Sequence, residues 1–260
     1  MSYSSSEHIT ITLDTRVLRI QFNRPDKKNA ITRDMYSTMA GAITQANDDS
    51  AVRVILFEGS PDCFTSGNDL SDFMNAPQIG SGTPVGTFLD VASTTPKPVV
   101  AAVTGIAVGI GTTMLLHCDL AYAGESAKFH MPFVNLGLVP EFASSLLLPQ
   151  LVGQRRAAEL LMFGQPFDAA KALELGIINQ IYPDDKLVDE AAAKAHALAA
   201  QPPAALRHTK RLMKHAAIEN ITSQIQTEGD CFSDALQGPE AQEAFRAFME
   251  KRKPDFSQFD

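Results

Sequence analysis

Apolar and polar residues alternate twice near the start of the chain, over residues 8–13 (HITITL) and Val17–Phe22 (VLRIQF), with Asp14 and Thr15 between them. Period-two alternation marks a half-buried strand, so the two runs predict a hairpin. The polar residues 1–7 before it predict a disordered start. Pro25 and its charged neighbours make residues 23–32 a loop. Thr32 is placed to cap a helix over residues 33–47, in which Met35, Met39, Ile43 and Ala46 recur near helical spacing. Residues 52–57 (VRVILF) predict a strand, stopped by Gly59, Ser60 and Pro61. Residues 64–69 (FTSGND) form a small-residue turn into a helix start. Residues 75–87 are rich in Gly, Pro and Ser and predict a mobile excursion, a lid or a surface loop.

The chain is most apolar over residues 98–119 (PVVAAVTGIAVGIGTTMLLHCD), with no charge before the last position. Val99, Val100 and Val103 predict a buried strand. Gly105, Gly109 and Gly111 allow unusual dihedrals and close backbone approach, and residues 112–116 predict the start of a buried helix. The run is long enough to span a membrane, but three glycines and three threonines in a charged, surface-type context argue against that. Gly109 and Gly111 match the first two positions of G-x-G-x-x-G. Met114 stands at the third, so a dinucleotide fingerprint fails. Further strands are predicted at residues 120–123, 127–130 and 177–181, and a loop at 135–141. Helices are predicted at 144–151, Gln154–Phe163, 168–175 (capped by Asp168, ended by Gly176) and 186–201. From residue 204 to 251 the chain is helical in character, with breaks near Asn220 and at Gly238-Pro239. Strands alternating with helices place the chain in the α/β class.

Composition narrows the partners. At 260 residues and 45% apolar, the chain can bury a substantial core as one large domain or a domain with an appendage. A net charge of −8 argues against nucleic acid as the main partner. The polar N-terminal residues hold no apolar signal-peptide core. Three widely spaced cysteines, Cys63, Cys118 and Cys231, fit buried thiols in a reducing compartment, and a cytoplasmic location is expected.

Two glycine turns each follow a strand and precede a helix: Ser66-Gly67-Asn68 and Gly109-Ile110-Gly111. If they face each other, two backbone N–H groups converge on one oxygen, an oxyanion hole suited to a carbonyl that becomes an enolate. Around these turns the chain resembles the crotonase family, also called the enoyl-CoA hydratase/isomerase family. The resemblance rests on Asn23-Arg24-Pro25 with Lys28-Asn29-Ala30, on residues 64–70 (FTSGNDL), and on residues 98–105 (PVVAAVTG). It continues through Asp119, Ala121-Tyr122-Ala123, Ala127-Lys128-Phe129 and residues 172–178 (ALELGII).

That resemblance implies a crotonase-like spiral of ββα units over residues 1–200. A helical region over 201–260 would serve trimer contacts, giving a homotrimer or a dimer of trimers. It implies an acyl-CoA thioester substrate, with coenzyme A as part of the substrate and no separate cofactor, metal, nucleic acid or membrane. Carried over by position, the oxyanion donors are the N–H groups of Asn68 and Ile110, where the family usually has glycine at the latter place. Lys28, Asn29, Ala30, Ser66, Gly67, Asp69, Leu70, Gly109, Phe133 and Pro140 would line the substrate path. Hydratases of the family carry two glutamates, at the positions of Thr113 and Phe133 here, and neither is a carboxylate. Glu141 stands in an LGxxPE setting like that of the catalytic base of peroxisomal-type Δ3,Δ2-enoyl-CoA isomerases. Val139, Phe142 and Phe133 would raise its pKa toward neutrality if it is buried. The expected activity is therefore isomerisation of a 3-enoyl-CoA. Another crotonase reaction, hydration included, and a non-catalytic acyl-CoA-binding scaffold are the alternatives. His117 reads as core, His130 as structural or lining the acyl channel, and Asp69 as a turn or helix cap. Arg207, Lys210, Arg211 and Lys214 form a basic strip, either a solvated face or a site for CoA phosphates.

Overall fold

A computed structural model describes residues 3–75, 80 and 82–259. Residues 76–79 and 81, within the predicted excursion, lie outside the described residues. The hairpin forms as the alternation requires. Strand β1 (Ile9–Asp14) pairs antiparallel with β2 (Val17–Phe22). Thr15 and Arg16 at its tip both have positive φ, the geometry of a tight turn whose twist matches its strands. Residues 3–7 are not loose: Tyr3 donates to Asp49 Oδ2 at 3.0 Å and Ile11 N to Ser5 Oγ at 2.8 Å.

Helix α1 (Arg33–Asp48) is capped by the Thr32 hydroxyl and turns Met35, Tyr36, Met39, Ile43 and Ala46 inward. It is followed by β3 (Val54–Glu58), β4 (Cys63–Thr65), α2 (Leu70–Asn75) and α3 (Pro84–Thr94). Helix α3 begins inside the stretch expected to be loop. The Thr83 hydroxyl accepts from Gly86 N, and Pro84 occupies the first turn, where its missing N–H costs nothing. Its buried Val85, Phe88, Leu89 and Ala92 are at helical spacing, a signal the surrounding glycines obscured.

The most apolar stretch divides into β5 (Val99–Val103), β6 (Ile106–Val108) and the short helix α4 (Ile110–Thr113), which tightens into a 3-10 turn over Met114–His117. The helix thus starts two residues earlier than predicted, directly after Gly109. Then come β7 (Leu120–Gly124), β8 (Lys128–His130), α5 (Ser144–Val152), α6 (Gln154–Phe163), β9 (Phe167–Asp168), α7 (Ala169–Glu174) and β10 (Gln180–Tyr182). The chain ends in α8 (Leu187–Ala199), α9 (Pro203–Lys214), α10 (Ile218–Gln237) and α11 (Pro239–Met249). The break expected near Asn220 falls at residues 215–217, just before α10.

Two sheets result. The larger has the order β1-β2-β3-β5-β7-β10, parallel from β2 onward. The smaller has the order β4-β6-β8-β9, with only β9 antiparallel. Three times the chain leaves a strand of the large sheet, bends, adds a strand to the small sheet and enters a helix: β3–β4, β5–β6 and β7–β8. This is the ββα spiral. Strands β3 and β5 are buried on both faces, as parallel strands covered on two sides are. Ile55, Phe57, Val99 and Ala101 face the main core. Val54, Leu56, Val100 and Ala102 face a second layer made by Leu187, Ala191 and Ala195 of α8. Helices α10 and α11 place Ile221, Ile225, Phe232, Leu236 and Phe245 in the main core, so the C-terminal helices are continuous with the spiral. Among the described residues no helix is long and apolar enough to cross a membrane. Of the cysteines, Cys63 is buried and Cys118 half-buried, but Cys231 is exposed, contrary to the expectation for all three.

The bend between β5 and β6 needs Gly105. Its φ is +55°, and a Cβ there would collide with the Asp62 carbonyl. Gly105→Ala is expected to destabilise the fold by more than about 2 kcal/mol, since left-handed strain and a backbone clash add. Chemical denaturation measures it, and a loss under about 0.5 kcal/mol, the scale of a neutral surface change, would refute the close approach.

Candidate active site

Because β4 and β6 are parallel neighbours, with Cys63 opposite Ile106 and Thr65 opposite Ala107, the turns that follow them lie side by side. The glycines make this approach possible. A Cβ on Gly67 would lie 2.9 Å from Val108 O, and one on Gly111 would lie 2.5 Å from Thr65 Cγ2. Gly67 has φ +90°, and Gly109 has φ +56° with ψ −119°, both unfavourable for an L side chain.

Among the described residues the first turn leaves the Asn68 N–H without a bond, and the second leaves those of Ile110 and Gly111. Ile31 N donates to Gly67 O at 2.8 Å and Asp69 N donates to Ile31 O at 2.9 Å. These bonds grip the chain on both sides of Asn68 and turn its own N–H away from Ile31. Ile110 is the first residue of α4, so its N–H has no acceptor within the helix. Among the described residues neither the Asn68 N–H nor the Ile110 N–H makes a hydrogen bond. Ile110 is buried and Asn68 half-buried.

The predicted substrate-path residues divide by role. Ser66 N donates to Lys28 O at 2.9 Å and Thr65 Oγ1 to Asn29 O at 2.7 Å, so residues 28–30 lie along residues 65–67. Lys28 is exposed, and Ala30, Ser66 and Leu70 are half-buried. The Asn29 side chain does not face a substrate. It is fully buried, accepts from Arg24 N and donates to Ser60 Oγ, Cys63 O and Phe64 O. It is a strut that holds this loop. Asp69 is a cap, accepting from Ser71 N and Asp72 N, and it pairs with Arg24 at 2.6 Å. Burial opposes its ionisation, but Arg24 and the two N–H donors outweigh that and hold its carboxyl below the ordinary range. Phe133 is buried in the main core, and Pro140 is half-buried just before Glu141.

Glu141 is buried at 5% exposure. Thr113, the last residue of α4, donates its hydroxyl to Glu141 Oε1 at 2.5 Å. The helix that offers the Ile110 N–H at one end therefore holds the carboxylate at the other. Burial pushes the Glu141 carboxyl up to about 8. The Thr113 hydroxyl favours the charged form, and the charge of Glu228 disfavours it. The chain after Glu141 is strained, with Phe142 at φ +60° and Ala143 at φ +54°. Two contacts hold it. His117 Nε2 lies 2.7 Å from Phe142 O and its ring stacks on Phe142 with centroids 3.8 Å apart. Burial pushes that imidazole down to about 3, so it is neutral, and Nε2 carries the proton because a carbonyl can only accept.

Helix α5 has no side-chain cap of its own, and Glu228 of α10 supplies one. Glu228 Oε1 accepts from Ser145 N at 3.0 Å and from Ser145 Oγ at 2.5 Å. Burial raises this carboxyl as well. Sequence reasoning missed Glu228, although it interrupts the apolar stripe Ile221, Ile225, Phe232 and Leu236 at core spacing. It also missed Tyr36, the polar-tipped member of the buried face of α1.

The other tempting residues are structural. His130 Nε2 lies 2.7 Å from Gly164 O. The basic strip splits. Lys210 is buried, pairing with Asp119 Oδ2 at 2.7 Å and donating to Lys97 O at 2.7 Å. Lys214 reaches His117 O at 3.3 Å, and burial pushes its amine down to about 8. Only Arg207 and Arg211 remain as an exposed pair.

Comparison with known proteins shows the family and the fold. The family model described as enoyl-CoA hydratase/isomerase matches residues 12–259. Enoyl-CoA delta isomerase 2 of Rattus norvegicus is 34% identical over 259 residues, covering 96% of this chain and 65% of its own length. The chain thus spans about two thirds of that relative. The 1,2-epoxyphenylacetyl-CoA isomerase of Escherichia coli K12 is 32% identical over 259 residues, covering 96% of this chain and 98% of its own. The solved structure of Pseudomonas aeruginosa OdaA superimposes with a TM-score of 0.92 at 48% identity, covering 94% of this chain and 99% of that one.

Proposed function

The chain belongs to the enoyl-CoA hydratase/isomerase family, and from that premise we propose that it is a Δ3,Δ2-enoyl-CoA isomerase. It would convert a 3-enoyl-CoA to the trans-2-enoyl-CoA with Glu141 as the only proton carrier. The observation that carries this reading is the Thr113–Glu141 hydrogen bond. Where the resemblance places a hydratase carboxylate, this chain has a hydroxyl, and that hydroxyl serves a carboxylate arriving from another loop.

The chemistry follows from those parts. The thioester carbonyl sits on the N–H groups of Asn68 and Ile110. Glu141 takes a proton from C2, and the negative charge moves to the carbonyl oxygen as a dienolate. Two preorganised donors meet that charge as it develops, which stabilises the transition state more than the substrate. The same carboxyl then returns the proton at C4. One group handles the proton in both steps, so no second acid is needed. Hydration needs a base to activate water and an acid to protonate carbon. Thr113 and Phe133 supply neither. Both relatives above carry the word isomerase in their names, though for different acyl-CoA substrates.

The test is to give the protein a 3-enoyl-CoA and, separately, a 2-enoyl-CoA. The expected result is double-bond migration in the first, with hydration of the second slower by roughly 10²-fold or more, the typical weight of one acid–base group. Hydration as fast as migration would favour a hydratase, and tight acyl-CoA binding without turnover of either would favour a scaffold.

A further inference from the structure

Beneath the oxyanion turn lies a contact that the proposed mechanism does not use. Tyr36 of α1 is 1% exposed, and its hydroxyl donates to Asn68 Oδ1 at 2.5 Å. The phenol stays protonated because burial, with the nearby Glu141 charge second, holds it well above its ordinary range. The ring is itself wedged. It packs on Phe88 of α3 with centroids 5.3 Å apart, and Phe88 packs on Phe142, the residue after Glu141, at 6.1 Å. The backbone on either side of Asn68 is gripped by one residue, Ile31. Its side chain is gripped by Tyr36.

We infer that Tyr36 is a positioning residue: its hydroxyl, through Asn68 Oδ1, fixes the orientation of the Asn68 peptide whose N–H serves the oxyanion hole. The inference rests on the reading of Asn68 and Ile110 as the oxyanion donors, and it adds to the two Ile31 backbone bonds a third anchor, from helix α1. A donor's worth depends on its aim. Losing one outright costs ~10²–10³ in rate, so loosening one that remains present is expected to cost about tenfold. The loss should fall on kcat, since the donor matters most where charge develops.

The test uses Tyr36→Phe, Asn68→Ala and the double variant of the full-length protein. Asn68→Ala keeps the backbone N–H and removes only the acceptor of the Tyr36 bond. Each single variant is expected to lose about tenfold in kcat with KM within twofold, and the double variant to lose no more than either alone. A second readout is acetoacetyl-CoA, whose enolate absorbs in the near ultraviolet and reports the oxyanion hole whatever reaction the enzyme performs. The bound enolate fraction is expected to fall several-fold in both single variants while the probe still binds. No enolate band in the unsubstituted protein would overturn the oxyanion reading itself. A normal band in the unsubstituted protein that Tyr36→Phe leaves unchanged would overturn only the role of Tyr36. Losses that multiply in the double variant would also overturn it, because Tyr36 would then act by a route other than Asn68. So would a shift of the pH–rate limb in Tyr36→Phe, which would place its effect on Glu141.

Discussion

Glu141→Gln is expected to lower turnover of a 3-enoyl-CoA by roughly 10³-fold and, at neutral pH, to raise the melting temperature. The first effect follows from removing the proposed proton carrier, since a positioned acid–base group contributes ~10²–10⁴. The amide keeps the shape and can still accept from Thr113, so acyl-CoA binding should be largely retained.

The second effect follows from linkage. Folding raises the Glu141 pKa from its ordinary 4.5 to about 8. Below 4.5 the group is protonated whether the chain is folded or unfolded, and it has no effect on stability. Between 4.5 and 8 the unfolded chain ionises while the folded one holds its proton, so stability falls as pH rises through that window and levels off above it. At pH 7 the cost is on the order of 3 kcal/mol. Glutamine does not titrate and escapes it. The variant should therefore melt several degrees above the unsubstituted protein near pH 7, with the difference shrinking toward pH 4.5. Melting curves across that range provide the measurement, and a difference independent of pH would show that burial does not hold this carboxyl up. The unsubstituted enzyme should also gain kcat as pH rises through about 8, as the base form fills. Retention of isomerase activity by Glu141→Gln would remove Glu141 from the chemistry.

Gly67→Ala is expected to cost about 10²-fold in kcat. Alanine disfavours φ +90°, and its Cβ would stand 2.9 Å from Val108 O. The clash is with backbone and cannot be relieved by a rotamer change. The 67–68 turn must move away from β6, taking the Asn68 N–H out of line with that of Ile110. A misplacement of about 1 Å in a reacting constellation is enough for a loss of this size. Steady-state kinetics beside a melting curve separate the effect from unfolding. A folded Gly67→Ala protein with unchanged kcat would place the oxyanion hole elsewhere.

Local patterns in the chain carried much of the fold. Alternation marked β1 and β2, and Thr32 with the Met35–Met39–Ile43 spacing marked α1, because these depend on neighbours within a few residues. The resemblance carried Asn68, Ile110 and Glu141 as candidates. Helix α3 is hidden in the sequence because its first turn contains a glycine and a proline, residues typical of loops, beside a single capping hydroxyl at Thr83. The strand expected at 177–181 forms three residues later, at β10, where β7 offers a partner. Buried, branched residues are compatible with either register until that partner is present.

What the sequence determined by itself is the class of the fold, the places of most elements, and a negative charge that argues against nucleic acid as the main partner; the resemblance added that Thr113 and Phe133 stand where hydratases carry glutamates. What only the tertiary structure decided is which groups meet. Thr113 holds Glu141 across 28 residues of chain, Tyr36 holds Asn68 across 32, and Glu228 caps Ser145 across 83. It also turned Asn29 from a candidate contact into a buried strut and Lys210 from a surface charge into the partner of Asp119. Secondary structure is dictated over a turn or a strand, whereas hydrogen bonds between distant segments and the burial that shifts a pKa exist only once the sheets and helices are packed.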